Sequence, residues 1–287
     1  MMHLLITPLG ATAFKWGGVS SILISGSVNT GYFEPLPLPS TIYGFLKYAY
    51  IINKLGEDAP IFRGPLFYAK GEKKELVCVH YYPLGLLCNI NGSICSFKIK
   101  EEHFEHKIGI ALHRDSKLTK EGYIYLEKML NMVDIAKKIL GEYPKQYGIL
   151  IEVNDENSKK LDNFVGPFGG ESRPAKINLI ELNINKIGKR ILASPAIIDK
   201  GDDLSVHWGN ESAKIKIVSD LIPYSDNLIH QKATIGQKIT YRLISLGFEL
   251  NKRLPMKLAL MPTVEILDDE KAIGYFTEKG WGSVVDI

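Results

Sequence analysis

Short apolar runs separated by glycine, proline and asparagine dominate the chain, and apolar positions at helical spacing are confined to a few stretches. Leu4 to Pro8 reads as the opening strand. After a Gly- and Ser-rich interval, Pro37-Leu-Pro-Ser-Thr41 marks a helix start with Ser40 as N-cap, because Ile42, Phe45, Leu46, Ala49 and Ile52 then recur at helical spacing until Gly56 ends the helix. From Ile61 to Ile99 the runs FRGPLFYA, ELVCVHYY and SICSFKIK are short and broken, which predicts strands and hairpins. Ile108 to Leu112 and Tyr123 to Leu126 flank a polar, cation-bearing tip at 113–122, the pattern of a protruding hairpin. Leu126, Leu130, Val133, Ala136 and Leu140 also fit a helical stripe, so the boundary is placed with strand to about Met129 and helix after Val133. Tyr147 to Val153 predicts a strand, Glu156 to Val165 a short helix, and Ile177 to Leu182 a further strand.

That order is β-α-β-β-α-β, the ferredoxin-like unit that RNA-recognition modules also use. The expected fold class is α+β, two tandem ferredoxin-like (RRM-like) domains with glycine-rich loops and a protruding β-hairpin. Residues 1–187 form the first domain, with the long hairpin, and 188–287 a degenerate second copy with weak helices. Its strand signals lie at Lys214 to Val218, Lys238 to Leu243, Lys257 to Leu260, Val264 to Leu267 and Ser283 to Ile287.

A similar glycine-loop design occurs twice, as GPFGGESRPAKI from Gly166 to Ile177 and GYFTEKGWGSVVDI from Gly274 to Ile287. In both, glycines with a nearby cation run into an apolar stretch. Such a loop reaches positive φ and lets backbone approach a phosphate or base, although glycines that merely turn a chain into a strand look the same. The candidate contacts for a phosphate or base are Gly169, Gly170, Ser172, Arg173 and Lys176 on the first loop and Lys279, Gly280, Trp281 and Gly282 on the second. The hairpin adds His113, Arg114, Lys117 and Lys120. Phosphate binding asks for amides and cations along a track, with aromatic faces for unstacked bases. Arg173 heads the group, because a planar fork beside glycines suits bidentate phosphate recognition. A lone surface cation is more commonly just solvated, and a Trp is more often a core anchor than a stacking platform.

Composition narrows the classes. The chain has 287 residues, 45% hydrophobic and 23% charged, ordinary for a soluble globular protein and unlike disordered or fibrous ones. A net charge of +3 permits nucleic-acid binding without demanding it. Cys78, Cys88 and Cys95 are odd in number and lack CxxC spacing, so they read as buried thiols of an intracellular protein, with neither a disulfide framework nor a zinc site. No apolar run approaches a membrane span and the N-terminus lacks a basic flank, so the expectation is an unprocessed cytoplasmic protein with no membrane contact. His113-Arg-Asp115 imitates a kinase catalytic loop, but position 120 is Lys where Asn is required; Walker A, dinucleotide, GxSxG and HExxH motifs are absent as well. No metal and no cofactor are expected.

PLPSTIYGFLK (37–47), IGIALHRDSKLTKEGYIYLEKML (108–130), FGGESRPAKI (168–177), LASPAII (192–198) and GYFTEKGWGSVV (274–285) occur in an order that resembles subunit three of the type III-B CRISPR Cmr effector complex, a member of the RAMP superfamily. The resemblance spans nearly the whole chain. It implies tandem ferredoxin-like domains and a non-catalytic subunit that grips the repeat-derived 5′ handle of the crRNA and docks the large polymerase-like subunit and the first backbone subunit. It also implies that 113–122 is the protruding thumb and that Gly169, Gly170, Ser172 and Arg173 form the signature loop. Lys15 stands where an Arg is common in that family, and joins the candidate contacts. Leu260-Met-Pro-Thr-Val264 replaces its usual Gly-Ser turn. With no His-Asp dipeptide and no GGDD, nuclease and cyclase activities would belong to the partner subunit. The rival reading is a RAMP-type metal-independent endoribonuclease that processes CRISPR repeat RNA, for which His3, His103, His106, His113, His207 and His230 are the candidate acids or bases. A third reading is a scaffold without RNA contact, distinguishable because phosphate contacts make affinity fall with salt.

Overall fold

The computed structural model describes residues 2–16, 33–112, 119–169, 173–182, 184–198, 203–208, 211–216, 241–246, 248–249, 252–253, 256–262, 265–266 and 271–287. In chain order the first part comprises β1 (Met2–Pro8), β2 (Phe14–Lys15), β3 (Phe33–Glu34), α1 (Pro39–Ile52), β4 (Phe62–Lys70), β5 (Glu75–His80), β6 (Gly85–Ile90), β7 (Ser93–Lys98), β8 (Phe104–Leu112), β9 (Thr119–Leu130), α2 (Met132–Leu140), β10 (Gln146–Val153), β11 (Val165–Phe168) and β12 (Arg173–Ile180). The second comprises β13 (Arg190–Leu192), β14 (Ala196–Ile197), β15 (Asp203–Trp208), β16 (Glu211–Lys216), β17 (Tyr241–Ser245), β18 (Phe248–Glu249), β19 (Lys252–Arg253), β20 (Met256–Leu260), β21 (Glu265–Ile266) and β22 (Val284–Asp286).

An eight-stranded sheet runs β11-β12-β1-β10-β4-β5-β6-β7. Its segment β12-β1-β10-β4 has antiparallel neighbours throughout, so β1 and β4, joined by α1, run parallel with β10 between them. This is the strand order and direction of a ferredoxin-like sheet, and the protein is an α+β fold built on it. The predicted helix after Val133 is α2 and precedes β10 as expected, and the helix predicted from Glu156 to Val165 lies between β10 and β12 as the second crossover. It is a short 3-10 helix, Glu156–Leu161, capped by the Asp155 carboxylate, which accepts from the Asn157 amide at 3.1 Å.

The apolar runs of the central strands are nearly continuous because those strands are covered on both faces, whereas the edge strand β7 is exposed. Leu4, Ile6, Phe67, Leu76, Ile149 and Ile151 join the core that contains α1 and α2 residues. Their alternates Leu5, Leu66, Val77 and Leu150 pack instead with Ile191, Val285 and Ile287 of the C-terminal part. Each such side chain contributes about 1.5–3 kcal/mol when fully buried. The C-terminal part supplies a five-stranded sheet, β16-β15-β21-β13-β22, and a three-stranded one, β14-β20-β17. The predicted strand signals fall on or beside β16, β17, β20, β21 and β22, whereas β13, β14, β15, β18 and β19 stand where none is predicted, and among the described residues no α-helix follows Leu140.

Two local expectations are corrected. Leu38, not Ser40, is the N-cap of α1, because Pro39 with its pre-set φ takes the first helical position and draws the start forward. At its other end α1 closes before Gly56: Lys54 takes the left-handed conformation at φ 55, with the Leu55 amide donating to the Tyr50 carbonyl at 2.9 Å. The cysteines differ too. Cys78 and Cys88 stand opposite each other on β5 and β6 and form a disulfide, while Cys95, opposite Cys88 on β7, is free and exposed. Cross-strand adjacency carries no spacing motif, which is why the count alone misleads.

The Asn131 side chain accepts from the Val133 amide at 3.1 Å and caps α2, and Gly141 at φ 76 terminates it. Asn131→Ala is expected to cost about 1 kcal/mol in urea unfolding, whereas Ser40→Ala stays within about 0.5 kcal/mol. Equal costs would contradict the cap assignments.

Candidate nucleic-acid interface

The tripeptide Phe14-Lys15-Trp16 links the two glycine loops. Strand alternation buries Phe14 and Trp16 and turns Lys15 outward. Phe14 meets Phe168 of the first loop edge-on at 5.8 Å between ring centroids. Trp16 donates from Nε1 to the Leu36 carbonyl at 2.6 Å and shares a buried cluster with Trp281 of the second loop. The exposed Lys15 ammonium stays 5.3 Å from the centroid of the Phe33 ring.

At the first loop, Gly169 turns the chain after β11 at φ 76. Gly170 and Ser172 lie outside the described residues. Arg173 opens β12, and its Nη1 donates to the Ala11 carbonyl at 2.7 Å while Nη2 lies 3.3 Å from the Met129 sulfur. The guanidinium therefore ties the exit of β1 and the base of the β8–β9 hairpin to the loop, beside the Thr12–Leu130 bridge. Its fork, expected to serve a phosphate, is turned on the protein's own atoms; its charge remains at a shallow cleft lined by Thr12, Phe14, Phe168 and Gly169. Lys176 sits half-buried on β12 between Thr7 and Val165.

The second loop departs furthest from expectation. Trp281 is only 2% exposed, so it is a core anchor and offers no face to a base. A Cβ on Gly280, at φ 82, would collide with the Phe62 ring, and one on Gly282, at φ 64, would sit on the Ile273 carbonyl oxygen. The Gly280 carbonyl also accepts from the Ser194 and Ser283 hydroxyls, each at 2.8 Å. These glycines allow close packing of backbone against core. Lys279 remains half-buried at the surface, with its ammonium 5.5 Å from the Tyr43 ring centroid.

The hairpin is longer than predicted, with Phe104 opposite Leu130 and Ile110 opposite Ile124. His113, Arg114 and Lys117 at its tip lie outside the described residues; Lys120 belongs to β9.

Among the other histidines, His3 lies 3.6 Å from the Glu152 carboxylate and His106 3.1 Å from that of Glu101, in the exposed polar stretch expected there. Among the described residues no cluster of His, Cys, Asp and Glu could hold a metal. His103 accepts from the Lys100 amide at Nδ1, 2.7 Å away, in a pocket shared with Glu102, Glu105, Asp134, Lys137 and Lys138. Burial, helped by the charge of Lys138, holds its pKa below the usual histidine value. His80 escapes sequence reasoning. It is fully buried, with Nε2 2.9 Å from the Glu34 carboxylate, which also accepts the Leu84 amide at 3.0 Å. Its position in line with Leu76 and Cys78 on the helix-covered face is the available signal.

No family model and no curated protein matches the chain. Solved structures do. A chain in a cryo-EM structure of the Type III-B Cmr-beta bound to cognate target RNA superposes with a TM-score of 0.56 at 20% identity, covering 99% of this chain and 96% of that one. A chain in the Cmr-beta structure bound to cognate target RNA and AMPPnP, state 1, gives 0.54 at 19% identity, covering 92% and 85%. At these identities the likeness is one of fold.

Gly282→Ala is expected to cost roughly 2–5 kcal/mol, combining the left-handed penalty of about 1–2 with overpacking of about 1–3. At Gly169 an added methyl would meet nothing within 4 Å, so Gly169→Ala should cost only the first of these. Urea unfolding checks both, and equal losses would contradict the packing role of the second loop.

Proposed function

We propose that this protein is the non-catalytic crRNA-binding subunit of a type III-B CRISPR effector, the counterpart of subunit three of the Cmr complex. It grips the repeat-derived 5′ handle and docks the large polymerase-like subunit and the first backbone subunit in the cytoplasm. The observation that carries this reading is the end-to-end fold likeness, 99% of this chain on 96% of a Cmr-beta chain, with the motifs in the order found in that subunit.

The geometry supports it. The first glycine loop, the hairpin base and the Lys15 ribbon converge through Arg173, the Thr12–Leu130 bridge and the Phe14–Phe168 contact, which gathers Lys15, Arg173 and Lys176 near the exit of β1. Of the candidate acids and bases, His3 and His106 pair with carboxylates and His103 accepts a backbone amide, while the side chains of His113, His207 and His230 lie outside the described residues.

Replacing Lys15 and Lys176 together by Ala is expected to weaken binding of single-stranded repeat-derived RNA and to shallow the log–log salt slope by about 0.7 per lost phosphate contact. Thermal stability should hold. An unchanged slope would remove these lysines from the interface, and repeat cleavage abolished by His103→Ala would favour the nuclease.

A further inference from the structure

Trp281 is buried, so an unstacked base would have to be met elsewhere. The second loop presents other aromatic surface. Tyr275 is 46% exposed and Phe276 37%. Phe276 adopts φ 62, ψ 31, the left-handed region that a bulky residue rarely enters. Both sides of the dipeptide are fixed: the Tyr275 amide donates to the Ile197 carbonyl at 2.8 Å, and the Phe276 carbonyl accepts the Lys279 amide at 2.9 Å. The Lys279 ammonium lies 5.9 Å from the Phe276 ring centroid and 5.5 Å from that of Tyr43 on α1. Tyr43 is itself held by its hydroxyl, which donates to the Asp58 carboxylate, and Asp58 is in turn paired with Lys47 at 3.6 Å.

We infer that Phe276, supported by Tyr43 and Lys279, is a preorganised platform on which a base of single-stranded RNA stacks while Lys279 meets the adjoining phosphate. The inference rests on the RNA-binding reading above. Three observations favour a base over a protein partner. More than a third of Phe276 faces solvent although its backbone is held in an unfavourable conformation, a combination that points to use. The backbone is pinned on either side, which lowers the ordering cost of binding. A cation within reach of two rings matches the pairing of aromatic face and phosphate charge that single-stranded nucleic acid asks for.

Phe276→Gly separates a binding role from a structural one, because it removes the ring and the left-handed strain together. In the full chain, the expected result is a melting temperature unchanged or raised, with affinity for a short fluorescent single-stranded RNA of repeat-derived sequence reduced roughly five-fold or more. Its salt slope should match that of the wild type, since a ring releases no counterions, whereas Lys279→Ala should shallow the slope. Phe276→Trp should retain affinity. Wild-type binding with undiminished affinity in Phe276→Gly would overturn the platform and leave the RNA-binding function standing. A lowered melting temperature would make the ring structural and likewise overturn it. Loss of partner-protein binding with RNA affinity intact would reassign the patch to a protein. Absence of RNA binding by the wild type would overturn the functional reading itself.

Discussion

The central strands β1, β10, β4 and β5 are buried on both faces and give a ligand no open surface. Here one face carries α1 and α2 and the other carries β13 and β22, so Leu4 and Ile6 point into one core while Leu5 between them points into the other. Binding is thereby directed to the edge strands β7 and β11, the strand ends, the loops and the β8–β9 hairpin. RNA-recognition modules of the same strand order stack bases on the open sheet surface. Closure of that surface by the C-terminal part is the main physical reason to look for RNA at the rim of this protein.

The rim is organised by a few anchors. Phe14 and Trp16, one residue apart from Lys15 on either side, reach the two glycine loops and leave the lysine outward. Arg173 joins the β1 exit to the hairpin base. The loops themselves then divide their labour. Gly280 and Gly282 serve packing, since a methyl at either would strike Phe62 or Ile273, while the outward surface is left to Tyr275, Phe276 and Lys279. Glycine richness in this loop reports how closely backbone and core approach.

Much of this is legible in the sequence, and the misses have physical causes. Runs such as ELVCVHYY announce strands because near-continuous apolar character is what a doubly covered strand requires. The Leu126–Leu140 ambiguity resolves at Leu130, where Asn131 ends the strand and caps the helix. What the pattern does not carry is long-range placement. The His80–Glu34 pair joins residues 46 apart in the chain, and the Cys78–Cys88 bond, with a separation of 10, depends on the register of the β5–β6 hairpin; neither leaves a local signal. Arg173 and Trp281 have chemistry that suits RNA, but whether a fork or an indole faces outward is decided by the packing around it. Phe276 carries no signal of its own, because nothing local distinguishes an exposed aromatic from a buried one.

The central claim is that this chain holds mature guide RNA inside a multi-subunit effector. Purifying the tagged protein from its native cells, sequencing the RNA that accompanies it and identifying the co-purifying proteins tests this most directly. The account predicts short RNAs that share one repeat-derived 5′ end, together with a large polymerase-like subunit. A solitary protein carrying heterogeneous repeat precursors, or no RNA at all, would contradict it.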